Sequence, residues 1–262
     1  MGTKRYLDRI ERALDEVLPR PDERPRVLHE AMRYAVGTGG KRLRPVVCLA
    51  AAEAAGGKAE EALFPACAIE LLHNYTLIHD DLPAMDNDVE RRGKPTVWKK
   101  FGEANAILAG DALLALAYRV AAKAPRNVPA IVDTLGERGV GVVQGQVEDV
   151  RREAPGPAAP ADTEFIYLHK TADLFVAAAA MGGLAAGGTE GDIAALCDFG
   201  RNLGLAFQHE DDLLDGDGPY PREETRRLVR ETTAAAIAAL GRLPGDTSFL
   251  ASLAESLVTR VR

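Results

Sequence analysis

An all-α fold is predicted by three observations. Helix-forming residues dominate the chain, with alanine recurring in nearly every segment. Val and Ile seldom alternate with polar residues, so the period of two expected of a half-buried strand is weak. Successive helical patterns are separated by short connections, which favours a bundle of packed helices. With 262 residues, 47% of them hydrophobic, the chain can fill one sizeable core, and residues 1–262 are taken as one domain.

The elements follow in order. Residues 3–18 and 24–36 read as amphipathic helices, punctuated by Pro21 and Pro25. Gly37-Thr38-Gly39-Gly40 is a turn leading into a buried helix at about 45–55, where Pro45 suits the first turn. Residues 63–80 form a long apolar helix. Further helices are expected at 103–122, 128–150, 163–186, 190–214, 222–240 and 247–261. The Pro- and Ala-rich stretch at 154–161 reads as a surface connector. No internal repeat is apparent.

Bulk properties narrow the function. The formal net charge is −7 and the sequence pI is near 5.4, which argues against a nucleic-acid partner. Cys48, Cys67 and Cys197 are isolated and lack metal-ligand spacing, as expected of core residues in a reducing, cytoplasmic compartment. The N-terminal residues are charged, Tyr6 breaks a myristoylation pattern, and no run reaches the ~18 apolar residues of a spanning helix, so no stable membrane anchor is expected.

Two acidic clusters stand out. The first is Asp80-Asp81-Leu82-Pro83-Ala84-Met85-Asp86, followed by Arg91-Arg92-Gly93; the second is Asp211-Asp212-Leu213-Leu214-Asp215, preceded by Phe207-Gln208. A lone acidic cluster is commonly a solvated helix end, but these two lie against apolar sequence. Uncompensated there, they would repel and carry a desolvation cost. Hard, oxygen-ligated Mg²⁺ held by a few carboxylates is typically completed by substrate phosphates, so the clusters suggest a metal-bridged diphosphate site. Asp211 and Asp215 share a helix face, and Gln208 lies on the same stripe. Asp80 and Asp86 are six apart and would diverge on a straight helix. Pro83 disfavours helix at Leu82, which lets Asp86 fold back toward Asp80. His73, seven before Asp80, lies on nearly the same face, roughly 10 Å along the axis.

Cations match the acids. Lys41, Arg42 and Arg44 follow the Gly39-Gly40 turn, where backbone amides can help hold an anion, and Arg91-Arg92 and Lys170-Thr171 add more. Two diphosphates would need this division: one held through metal, the other through direct Lys/Arg hydrogen bonds.

The stretch His73-Asn74-Tyr75-Thr76-Leu77-Ile78-His79-Asp80 through Asp86, with Arg91-Arg92-Gly93-Lys94-Pro95-Thr96, resembles the first aspartate-rich region of the trans-prenyl diphosphate synthases. Gly204 through Gln208 with Asp211-Asp212-Leu213-Leu214-Asp215 resembles the second. Lys41 to Pro45, Phe101-Gly102-Glu103-Ala104, Leu108-Ala109-Gly110-Asp111, Gln144-Gly145-Gln146 and Lys170-Thr171 also fit, in order, over about residues 5–215. Bacterial short-chain members are especially similar. The resemblance implies an isoprenoid-synthase-type helical bundle around a deep central cavity, as a homodimer. It implies head-to-tail joining of isopentenyl diphosphate to an allylic diphosphate such as dimethylallyl or geranyl diphosphate, with Mg²⁺, three ions per active site. By motif, Asp80, Asp86 and Asp211 would ligand Mg²⁺, with Asp81, Asp212 and Asp215 in support. Arg91, Lys170, Thr171 and Gln208 would serve the allylic substrate, and Lys41, Arg44, His73 and Arg92 isopentenyl diphosphate.

The resemblance also sets finer expectations. Tyr75, five residues before Asp80 and roughly 7.5 Å down the helix, would floor the tail cavity and limit the product to farnesyl diphosphate. Geranylgeranyl or geranyl diphosphate synthesis, a weakly active or regulatory subunit, and a class I terpene cyclase are the alternatives. An HD-type phosphohydrolase through His79-Asp80 is weaker. One departure matters: the lysine that family members carry after the second cluster is missing from the shortened Gly216–Arg222 segment, and His209 stands where a hydrophobic residue is usual.

Overall fold

The computed structural model describes residues 2–152, 160–216 and 218–259. Twelve helices follow in chain order among the described residues: α1 (Gly2–Val17), α2 (Arg26–Gly37), α3 (Leu43–Ala54), α4 (Leu63–Asp80), α5 (Val97–Phe101), α6 (Glu103–Ala121), α7 (Val128–Arg152), α8 (Pro160–Ile166), α9 (Asp173–Ala186), α10 (Glu190–Asp215), α11 (Arg222–Leu240) and α12 (Ser248–Thr259). A 3₁₀ turn (Ala59–Ala62) precedes α4, and a π-helical segment (Tyr167–Ala172) joins α8 to α9. The predicted all-α architecture is observed. The strands are β1 (Glu90–Arg91) and β2 (Lys94–Pro95), a small antiparallel hairpin beyond the first acidic cluster.

Helix α4 is apolar around most of its circumference, and a helix of that kind must be enclosed. Ala66, Cys67, Ala68, Ile69, Leu71, Leu72 and Ile78 are all buried, and α4 packs against α3, α6 and α9. The alanine-rich α9 is buried almost throughout and packs in turn on α3, α7 and α10. Helix α10 starts at a capping box in which Thr189 and Asp192 satisfy each other's backbone amides, then runs 26 residues to the second acidic cluster. Both clusters thus sit at the C-terminal ends of core helices.

Three expectations need correction. Residues 163–186 are not one α-helix, because the π turn at 167–172 interrupts them; its side chains find partners on two different helices, as described below. The hairpin and α5 went unrecognised, being too short to establish a period. Helix α6 is long and apolar enough to cross a membrane by length and composition, with a mean hydropathy of 1.3, contrary to the expectation that no run qualifies. Much of that apolarity is spent in the core, where Ala106, Ala109, Leu113, Ala117 and Val120 are buried, while Asp111 is exposed. The connector predicted at 154–161 lies largely outside the described residues; Pro160 and Ala161 begin α8.

Candidate active site

The first cluster folds as Pro83 requires. Helix α4 stops at Asp80, and the chain turns so that the Asp86 amide donates to the Asp80 carbonyl at 2.9 Å. The Met85 and Asn87 amides both donate to the Leu82 carbonyl. Asp81 is buried and accepts from Arg91 Nε at 2.6 Å; Arg91 also lies 3.3 Å from Asp88. Burial pushes the Asp80 carboxyl up to about 7; nearby Lys170 opposes the rise, and Asp86 adds to it. Asp81 and Asp86 are also raised, again chiefly by burial. A cation placed among these acids would relieve that crowding.

Lys170 connects the parts of the site. It acts electrostatically on Asp80 and Asp86, forms an ion pair with Asp149 of α7, and lines a cleft with Tyr167, Thr171, Gln208 and Asp212. This cleft has a volume of about 290 Å³. Within it, Tyr167 donates its hydroxyl to Asp212 Oδ2 at 2.7 Å, and Thr171 donates to Gln208 Oε1 at 2.9 Å. Gln208 Nε2 also lies 3.5 Å from Asp212 Oδ1, the acid four residues on. Asp211 is half-buried, and Asp215 is exposed at the end of α10.

Cations gather around His73, two turns before Asp80 on α4. Arg44 Nη1 is 3.3 Å from His73 Nε2, and the Arg44 guanidinium sits 4.9 Å over the Phe175 ring. Its Nε is buried with no hydrogen-bond partner, and burial lowers Arg44 to about 10. Burial first, then Arg44 and Arg92, holds His73 well below its usual value, so the ring is neutral and accepts from Arg44. Arg92 adopts a positive φ of 56°, and its guanidinium rests on the Gly39–Gly40 backbone, donating to the Gly39 carbonyl. Lys41 is exposed beside it. Arg42 has a different function: it is buried, pairs with Glu70 at 2.7 Å and Glu11 at 2.8 Å, and ties α3 to α4 and α1. Its place between Lys41 and Arg44 in sequence gave no hint that it turns into the core.

Tyr75 is half-buried on α4, with its ring edge-on to His79 at 4.9 Å and Asp111 and Tyr118 of α6 nearby. His79 Nε2 lies 3.1 Å from the Ile107 carbonyl, which turns that ring onto α6 and gives an HD-type reading no support. The sequence reading missed Asp149 and Tyr167. Asp149 lies four residues after Gly145, one helical turn along the face that meets the π segment, and that spacing was a usable signal. Among the described residues, no three acidic or histidine side chains are already gathered close enough to hold one ion. The donors Asp80, Asp81 and Asp86 are all oxygen, the first half-buried, the second buried and the third exposed, and all-oxygen donors suit a hard divalent cation.

The chain as a whole is similar to known proteins. The family model for polyprenyl synthetases matches residues 25–224. The chain belongs to that family. It is 46% identical over 215 residues to geranylgeranyl pyrophosphate synthase 4 of Arabidopsis thaliana, covering 79% of this chain and 57% of the relative. It is 45% identical over 213 residues to a geranylgeranyl diphosphate synthase of Cyanophora paradoxa, covering 79% of this chain and 70% of the relative. The chain thus spans less than three fifths of the Arabidopsis protein. Among solved structures, an FPP/GFPP synthase from Zymomonas mobilis superposes with a TM-score of 0.90 at 35% identity, covering 98% of this chain and 97% of that one.

Proposed function

We propose that the protein is a short-chain trans-prenyltransferase that joins isopentenyl diphosphate head-to-tail to an allylic diphosphate, ending at geranylgeranyl diphosphate. The observation that carries the activity is Lys170, which acts electrostatically on Asp80 and Asp86 of the first cluster and lines a cleft with Asp212 of the second. Mg²⁺ bound through Asp80, Asp86 and Asp211 would supply charge neutralisation for the departing diphosphate. Lys170 and Arg91 stabilise the same developing charge by direct hydrogen bonds. The allylic C1–O bond breaks with its electron pair going to the diphosphate oxygen. The isopentenyl double bond attacks C1, and the departed diphosphate takes the proton whose loss restores a double bond. Arg44, Arg92 and Lys41 would hold the second diphosphate, with neutral His73 as a hydrogen-bond partner rather than a charge. The apolar wall around α4 and α9 keeps water from the carbocation.

The product assignment follows the curated relatives, which are geranylgeranyl synthases at 45–46% identity. This replaces the farnesyl product expected from the sequence. Tyr75 favours farnesyl diphosphate as a second reading, because its half-buried ring lies on α4 below Asp80. Pairing with a second copy is supported by an apolar stripe on α7, where Val140, Val143, Val147 and Val150 are all exposed, and α6 adds exposed Ile107 and Leu108. Incubation with Mg²⁺, isopentenyl diphosphate and dimethylallyl, geranyl or farnesyl diphosphate tests the reading. Twenty-carbon product from all three is expected; fifteen-carbon product would favour the second reading. A hydrocarbon formed without isopentenyl diphosphate, or no elongation at all, would overturn both.

A further inference from the structure

The π turn that carries Lys170 and Thr171 is joined to α7 and α9 by a network, centred on one buried carboxylate, that the reaction itself does not use. Asp173, the first residue of α9, is 1% exposed. Its Oδ1 accepts from Arg138 Nη1 of α7 at 3.0 Å, and its Oδ2 lies 2.8 Å from His169 Nδ1, inside the π turn. The His169 ring packs on Phe165 with centroids 4.3 Å apart. Helix α7 leaves room for this through two glycines: a methyl group at Gly141 would overlap the Asp173 carboxylate, and one at Gly145 would overlap the Lys170 backbone. Farther along α7, Asp149 takes Lys170.

The side chains of the turn therefore divide between two helices. Tyr167 and Thr171 reach Asp212 and Gln208 of α10, while Lys170 reaches Asp149 of α7. A π turn holds one residue more than an α turn, and relaxation to α geometry would shift the register by one residue, a rotation of about 100°. Lys170 and Thr171 could not then keep these partners together. A buried carboxylate is costly unless paired, so Asp173 keeps both Arg138 of α7 and His169 of the turn as partners, which ties the residue next to Lys170 to α7 and to the start of α9. We infer that Asp173 is a positioning residue, which through Arg138 and His169 holds the π turn so that Lys170 and Thr171 together face the diphosphate cleft. This role rests on the proposed diphosphate chemistry only in naming what the two side chains meet.

The test is binding of Mg²⁺-pyrophosphate by calorimetry, together with amide hydrogen exchange. Asp173→Ala is expected to weaken binding about tenfold, comparable to Lys170→Ala, and to add much less than that in the Lys170→Ala background, where only Thr171 is left to misplace. Asp173→Asn keeps the shape and an acceptor for Arg138 and should stay within about threefold of wild type. Exchange across 167–172 should accelerate in Asp173→Ala and not in Asp173→Asn. Should Asp173→Ala fail to fold, Arg138→Met should show the same changes at smaller size. Multiplying effects in the double variant, or wild-type exchange across 167–172 in Asp173→Ala, would overturn the inference. If the wild type does not bind Mg²⁺-pyrophosphate, the synthase reading fails, and the exchange pattern alone decides the role of Asp173.

Discussion

Asp80→Asn should remove a pH dependence that burial builds into the metal-free protein. The Asp80 carboxyl stands at about 7 rather than its ordinary 3.8, mainly because it is desolvated at the end of α4, with Asp86 adding to the rise and Lys170 opposing it. Between these two values the folded protein holds a proton that the unfolded chain has released. Stability from this group is therefore complete below about pH 3.8 and is lost as pH rises through about 7. The full difference corresponds to at most about 4 kcal/mol, since one pKa unit is about 1.4 kcal/mol. His73 works in the opposite direction, because its value is depressed and its contribution grows with pH up to the ordinary histidine range. The comparison must therefore be a difference between wild type and variant. Urea unfolding without Mg²⁺ at about pH 4 and about pH 8 brackets the window between the two values. Stabilities should be near-equal at the lower pH. At the higher pH the Asp80→Asn variant should lead by a few kcal/mol, with Tm higher by about 5 °C or more. Parallel pH profiles for the two proteins would refute the reasoning. With Mg²⁺-pyrophosphate present, wild type should release a proton on binding at about pH 6, measurable by calorimetry in buffers of differing ionisation enthalpy.

Three further outcomes are expected. Tyr75→Ala should lengthen the product by at least one five-carbon unit if the ring floors the cavity, read by chromatography of the dephosphorylated products; an unchanged distribution would exclude that function. Tyr167→Phe deletes the hydroxyl that donates to Asp212 at 2.7 Å and should cost about 1.5–3 kcal/mol, as for a hydrogen bond to a charged group, measured by denaturant unfolding. Val143→Glu places a charge in the exposed valine stripe of α7 and should leave the protein monomeric in sedimentation velocity while the fold, followed by circular dichroism, stays intact. A wild type that is already monomeric would remove the stripe's assigned partner.

The helices and both acidic clusters were legible because their signals are local. Helix α4 was expected at 63–80 and ends at Asp80, and Pro83 correctly implied that Asp86 would fold back. The resemblance carried by these motifs is matched by the family model over residues 25–224. The hairpin at 90–95 and α5 were missed because elements of two and five residues establish no period. The valine stripe was available at spacings of three and four on α7 but reads the same as a core face until burial is known.

By itself the sequence determined the helical architecture, the position of both aspartate motifs and the identity of the cations, all of which are written in spacings of three to seven residues. Tertiary structure decided which of those side chains share a space. Arg42 and Arg44 stand two apart, yet one is locked to Glu11 and Glu70 in the core while the other meets His73 and Phe175. Lys170 and Thr171 are adjacent, yet one pairs with Asp149 of α7 and the other with Gln208 of α10. Asp80 is acidic by composition, but burial raises its carboxyl to about 7. Periodicity is a property of neighbours along the chain; desolvation and pairing depend on groups far apart in sequence, and only the packed helices bring those together.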